Sequence, residues 1–223
     1  MKLKSNTILL TTVCVLFLSL CTGCASKQVK VDLNYAPDST SLLSNLKPTV
    51  VYLQVVDQRP EEQRNSIGVQ RNTMFGTKHA DIISKTQEVQ VVYDALKTEL
   101  ERSGHSVLNP EQGHGEITII VWLTQFLIDS KAVNTHIELV GSIRAVVIVS
   151  DSVGNAPQAS FTVEGSYRDF LQMGWLRSGG LFGLGGISFA ATPKSHIENV
   201  LNGALAEFVR RFSLEPKLRE LFI

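Results

Sequence analysis

Three parts of this chain have residue types and spacings that suggest chemistry: a thiol, a charged pair, and a run of glycines set among aromatic residues. The thiol is Cys24, closing the stretch Leu20-Cys21-Thr22-Gly23-Cys24. Ahead of it, Lys2 and Lys4 give a positive start, Ile8 to Leu20 is a thirteen-residue apolar run, and Thr22-Gly23 is a small-residue exit. That is the layout of a secretory signal over residues 1–23. The alternative is a retained membrane helix, but the run is short for a ~30 Å hydrocarbon core. A thiolate at such an exit is the nucleophile that S-alkylation needs.

The junction resembles the lipobox of bacterial lipoproteins, whose cysteine receives a diacylglyceryl thioether and, after cleavage, an amide-linked acyl chain. Small residues at Thr22 and Gly23 let a peptidase reach the backbone; Cys21 stands where that pattern usually has leucine. The resemblance implies an acylated Cys24, with a plain secretory cut near Ala25 as the alternative. Each buried methylene contributes ~0.8 kcal/mol, and two membrane signals suffice for stable anchoring. Ala25 rather than Asp after the cysteine is similar to the sorting pattern of enterobacterial lipoproteins for the outer membrane, so the expected site is the periplasm-facing side of that membrane.

Cleavage there leaves 200 residues, enough for a single domain with a sizeable core after a short polar tether at 24–28. The leader takes two lysines and no acid, so 21 basic against 21 acidic side chains becomes 19 against 21. Nucleic-acid binding needs clustered lysine and arginine, and that balance excludes it. Cys14 and Cys21 leave with the leader and Cys24 is blocked by lipid, so the mature chain has no free thiol and no disulfide, although its compartment is oxidising. Thiol catalysis and cysteine-based metal sites go together with them.

The charged pair is Asp57 and Arg59 at the end of an apolar run, in Asp57-Gln58-Arg59-Pro60. Strand ends often carry ligands, which makes the pair a candidate partner-binding site. The competing reading is that Asp57 caps the following turn while Arg59 pairs with a surface acid. The glycines lie in 173–190, interleaved with Trp175, Leu181 and Phe182. No Gly-Lys-Ser/Thr follows, and Ser188 occupies the third glycine position of GxGxxG, so a phosphate cradle fails. The stretch either folds over the core, docks a partner or touches the membrane. His79, His105, His114, His136 and His196 are scattered, without HExxH or another metal-ligand spacing. Gly141-Ser142 and Gly165-Ser166 lack the GxSxG frame and fall inside strands. No catalytic set, metal site or cofactor is expected.

The elements that must position these residues follow from periodicity. Val29, Val31, Leu33 and Tyr35 alternate with polar residues as a half-buried strand, while Thr49 to Val56 is apolar enough for a strand buried on both faces. Glu61 to Ile83 reads as irregular. A helix opens at Ser84, with Gln87 at capping-box spacing, and stops at Gly104. His105 to Leu108 is a short strand. Glu116–Asp129, His136–Val149 and Gln158–Phe170 form an antiparallel meander, with turns at Asp129-Ser130-Lys131 and Asp151 to Asn155. Thr192 caps a last long helix with Pro193 in its first turn, and a short helix follows from Glu215 to Phe222. The expected fold is α+β over 29–223: a largely antiparallel sheet of four to six strands with two amphipathic helices on one face.

This order of elements resembles the YajG-type lipoproteins of Gram-negative bacteria. So do Asp57-Gln58-Arg59-Pro60, Ile67-Gly68, Gly76, Ser103-Gly104-His105 and Val200-Leu201-Asn202-Gly203-Ala204-Leu205. The resemblance covers most of Val50 to Phe222 and implies an envelope lipoprotein. The functional expectation is a non-enzymatic accessory or scaffold for another envelope protein, held to the membrane at Cys24. The alternative is an auxiliary lipoprotein that binds a lipid or small envelope molecule for transport.

Overall fold

The computed structural model describes residues 27–37, 41, 43, 46–71, 78–109, 115–133, 136–151, 157–172 and 192–222. The expected leader over 1–23, Cys24, and Trp175, Leu181 and Phe182 in 173–190 lie outside the described residues. In chain order the elements are β1 (Gln28–Val31), β2 (Val50–Asp57), α1 (Glu61–Arg64), β3 (Gly68–Arg71), β4 (Lys78–Ser84), α2 (Glu88–Arg102) and β5 (Ser106–Leu108). There follow β6 (Ile117–Val133), β7 (His136–Asp151), β8 (Ala159–Gln172), α3 (Lys194–Leu214), α4 (Pro216–Arg219) and a 3-10 turn at Glu220–Phe222.

The class is α+β, but the sheet corrects the expectation: it has eight strands and is mixed. The meander is real, since β6–β7–β8 pair antiparallel along almost their full lengths. The strands before it join differently. β2 runs parallel to both β5 and β6, and β1 parallel to β4. Parallel neighbours need a crossover rather than a hairpin, and α2 supplies the one between β2 and β5. The stretch read as irregular, Glu61 to Ile83, contains α1, β3 and β4. β3 and β4 pair with each other antiparallel, but each is short and neither carries a sustained apolar alternation that would reveal it.

Both long helices lie on one face and touch each other, α2 over β2 and β5, α3 over β7 and β8. Alternate residues of the two longest strands point into them: Ile119, Val121 and Leu123 on β6, Ile143, Ala145 and Val147 on β7. The apolar stripe of α3, Ile197, Val200, Leu201, Leu205, Phe208, Val209 and Phe212 at helical spacing, is buried throughout. Glu207 holds Arg211 at 2.6 Å and also Arg210, whose hydrogen bond is the main reason its carboxyl drops to about 2. β2 is not buried on both faces. Val51 and Leu53 are fully covered, while Val50, Tyr52, Gln54 and Val56 on the other side are half-buried.

Helix boundaries moved for identifiable reasons. Ser84 is the last residue of β4, because the parallel pairing with β1 and the bond from the Lys85 N–H to the Val31 carbonyl keep the chain extended there. α2 therefore starts at Glu88, with Gln87 at its N-cap and no side-chain cap. At α3 the N-cap is Pro193, and Thr192 instead offers its carbonyl to Gln70 Nε2 at 2.7 Å. Asp129-Ser130-Lys131 lie inside β6, which runs on to Val133, and the link after Asp151 lies outside the described residues. Gly104 ends α2 at φ 91°, a backbone region that glycine enters without strain, and its N–H reaches Glu101 at 3.0 Å.

The residue after that glycine carries a pH prediction. His105 is buried with its ring 4.4 Å from that of Phe222, and neither ring nitrogen makes a hydrogen bond. Burial pushes its pKa below the ordinary value. The unfolded chain therefore binds a proton at a pH where the folded one does not, and stability falls as pH drops through ~6.5. Denaturation midpoints at pH 7.5 and 5.5 are expected to differ for the native chain. The difference should shrink in His105→Phe, which keeps a ring against Phe222. An unchanged pH difference in that variant would refute the assignment.

Candidate functional site

The candidate pair sits where the sheet is interrupted. β2 ends alongside Leu123 of β6, and β3 begins alongside Ile128 of the same strand. Gln58 N–H closes the first segment on the Leu123 carbonyl at 2.9 Å, and Ile128 N–H opens the second on the Ile67 carbonyl at 2.7 Å. Between them β6 has a bulge at Leu123/Gln125, and the chain leaves the sheet through α1. A β-bulge bends its strand and leaves pairing incomplete.

Arg59 fills this breach. Its Nε and Nη2 donate to the two carboxylate oxygens of Asp57 at 3.0 and 2.8 Å, Nη2 also to Glu88 Oε2 at 3.0 Å, and Nη1 to the Gln63 carbonyl at 3.3 Å. Asp57 Oδ1 further accepts the Arg59 backbone N–H at 3.0 Å. The bidentate geometry is the strong form of such a pair. The bond from Arg59 chiefly holds the Asp57 carboxyl below the usual carboxylate range. Arg59 is 2% exposed, Glu88 11% and Asp57 24%. Arg59 thus spends its donors inside the fold, tying the end of β2 to the first turn of α2, and only the rim of Asp57 faces outward. The acid it reaches beyond the turn is the buried Glu88, which sequence reasoning had placed only as a helix residue.

The other face of the sheet supplies a surface that sequence reasoning missed. Val56, Trp122 and Val146 stand side by side across β2, β6 and β7, and Gln54, Ile120 and Ile148 form the next row. Trp122 is 40% exposed and the other five are half-buried. Among the described residues no element packs over these rows. The signal was there in β6, where apolar residues occupy both parities: Ile117, Ile119 and Val121 on one, Ile120 and Trp122 on the other.

Among the described residues no group of three or more His, Cys, Asp or Glu is placed to hold a metal ion, and no helix is long and apolar enough to cross a membrane. A cleft of about 380 Å3 opens to solvent between β8 and the end of α3, lined by Thr162, Val163, Glu164, Arg211, Leu214 and Glu215.

A scan against protein-family models finds no match, and a search of curated proteins finds none either. Solved structures do match. A Xanthomonas campestris protein assigned to the family DUF330 shares 10% identity at a TM-score of 0.50, covering 84% of this chain and 96% of its own. A minor lipoprotein from Acinetobacter baumannii (12% identity, TM-score 0.38) covers 78% of this chain and 95% of its own. A lipoprotein from Neisseria meningitidis (10%, 0.33) covers 55% and 84%. Structural neighbours of this chain thus include lipoproteins of Gram-negative bacteria, and the Xanthomonas protein shares its fold.

Proposed function

We propose that the chain is a non-enzymatic lipoprotein, acylated at Cys24, held on the periplasmic side of the outer membrane, where it serves as an accessory or docking protein for another envelope component. The leader and lipobox support the anchor, and the YajG-type resemblance agrees with it. The observation that favours docking over carrying is the contrast between the two faces of the sheet. On the helical face α3 sits directly on β8 at Gly165, where an added Cβ would lie 2.3 Å from the Phe208 nitrogen, and the cleft at the end of α3 is open to solvent rather than enclosed. Carriers need an enclosed apolar pocket of several hundred Å3. The opposite face offers Trp122 within an apolar patch, the kind of residue that anchors protein interfaces.

The experiment compares the native protein with Trp122→Ser and Cys24→Ser in envelope preparations. Trp122→Ser is expected to stay folded by circular dichroism and acylated, and to lose the partner cross-linked to the native chain. Cys24→Ser is expected to leave the membrane fraction and to lose the acyl mass. An unaltered cross-linking pattern in Trp122→Ser would overturn the docking surface; unaltered fractionation of Cys24→Ser would overturn the anchor.

A further inference from the structure

The distance from the acylated cysteine to the first strand, combined with the order of strands in the sheet, sets how the domain stands on the bilayer. This step rests on the anchor reading above. Three peptide units separate Cys24 from Lys27, and β1 begins at Gln28. A fully extended chain advances at most ~3.3–3.6 Å per residue, so Lys27 lies within ~11 Å of the acylated residue. No linker is long enough to hold the domain away from the headgroups. The element next to the membrane is therefore β1, the strand at one edge of the sheet.

The strand order then becomes a scale of height. From β1 the sheet runs β4, β3, β6, β7 and β8. At ~4.8 Å per strand spacing, β6 stands ~14 Å and β8 ~24 Å from β1. We infer that the β1 edge is a membrane-facing surface for anionic lipid headgroups, and that the sheet stands upright on it with β8 farthest from the bilayer.

The charges along that edge fit such a partner. Lys27 and Lys30 are exposed at β1, Lys85 follows β4 beside it, and Lys194 opens α3 next to the end of β1. Nearby acids are Asp32, Asp81 and Glu198; Asp32 and Glu198 are held by Lys85 at 2.6 Å and Lys194 at 3.4 Å, and Asp81 by Lys78 at 2.7 Å. Among the described residues, Lys27, Lys30, Lys78, Lys85 and Lys194 stand against those three acids, so the edge is net basic on a mature chain that is net acidic. A lysine or arginine near an anionic membrane contributes ~1 kcal/mol, and that favours this edge over other rotations about the tether. The upright stance leaves the Trp122 face standing clear of the headgroups, where a protein partner can reach it.

The test uses the absence of other thiols in the mature chain. Single cysteines replace Gln28 on β1, Thr118 on the outer face of β6 and Ser166 on β8 in the acylated protein, each carrying a fluorophore. Energy transfer to headgroup-labelled acceptors is measured in vesicles containing phosphatidylglycerol. The expected order is strongest at Gln28→Cys, intermediate at Thr118→Cys and weakest at Ser166→Cys. Lys27→Glu with Lys30→Glu should flatten that order in phosphatidylglycerol vesicles and leave it unchanged in zwitterionic ones. Transfer at Thr118→Cys equal to that at Gln28→Cys would mean the domain lies face-down, and strongest transfer at Ser166→Cys would mean it stands inverted; either overturns the inference. An intact mass without acyl chains in the same sample would instead sink the anchor on which it rests.

Discussion

Arg59→Met is expected to lower folding stability by ~3 kcal/mol, the low end of what breaking a buried ion pair from one side costs. The low end is chosen because Asp57 is 24% exposed and can recover water, while Glu88, at 11%, cannot do so fully. Glu88 would then face the breach between β2 and β3 without its cation, Asp57 would keep only the exposed Arg64 at 4.0 Å, and the Gln63 carbonyl would lose its donor. Arg59→Lys restores the charge but not the fork that meets Asp57 through two atoms and Glu88 through one, so it should recover only part of the loss. Adding Glu88→Gln to Arg59→Met should recover stability, since it removes the uncompensated charge. Urea midpoints of the four proteins check this. Equal midpoints for Arg59→Met and the native chain would show that the cluster is energetically idle.

The same cluster fixes the sign of an acid effect. The folded Asp57 carboxyl titrates below its unfolded value. Its stabilisation is therefore present above ~3.9 and is lost as pH falls through the lower, folded pKa. Arg59→Met should flatten stability in that acid window specifically. A native-like acid loss in the variant would assign the effect to other carboxylates.

How far the sequence revealed this arrangement depended on the range of the interaction concerned. The stripe of α3 and the alternation of β7 were legible because helix and strand periods are local properties of the chain. The parallel partners of β1 and β2 were not, because nothing in Gln28–Val31 names Lys78–Ser84 as its neighbour. Ser84 shows the same limit in miniature: a good capping residue was overruled by a pairing 53 residues away. At the candidate site, Asp57 and Arg59 were visible as a pair, with the turn-capping bond among the alternatives. Glu88 was not, since it reaches Arg59 only once α2 has folded across the breach. In the sequence, Gly141-Ser142 and Gly165-Ser166 stand out only as incomplete nucleophile frames. Their position on the inward parity of neighbouring strands was the overlooked signal, because a glycine inside a strand often marks a close approach by another backbone.

That approach gives the sharpest packing test in the molecule. Gly165→Ala would put a methyl 2.3 Å from the Phe208 nitrogen, 2.4 Å from the Ala204 carbonyl oxygen and 2.5 Å from the Phe208 Cα. All three are backbone atoms of α3, so no rotamer change relieves the clash; the helix itself must lift from β8. Lifting it loosens Leu205, Phe208 and Phe212, each buried to within 1%. Overpacking of a fixed core costs ~1–3 kcal/mol and occasionally more, and this substitution belongs at or above the top of that range. Gly203→Ala is the contrasting case on the helix side. Its methyl would meet the Tyr167 ring at 2.6 Å, but that ring is 45% exposed and can swing away, while replacing a mid-helix glycine by alanine gains ~1 kcal/mol. Gly141→Ala falls between them, with its nearest contact the Val200 carbonyl oxygen at 2.9 Å. The expected order of destabilisation in urea is therefore Gly165→Ala, then Gly141→Ala, then Gly203→Ala. No cysteine follows Cys24 in the sequence, so no disulfide between residues of the domain holds α3 down. If Gly165→Ala proved no worse than Gly203→Ala, the direct seating of that helix on β8 would be wrong, and the space denied to a cargo molecule would be open again.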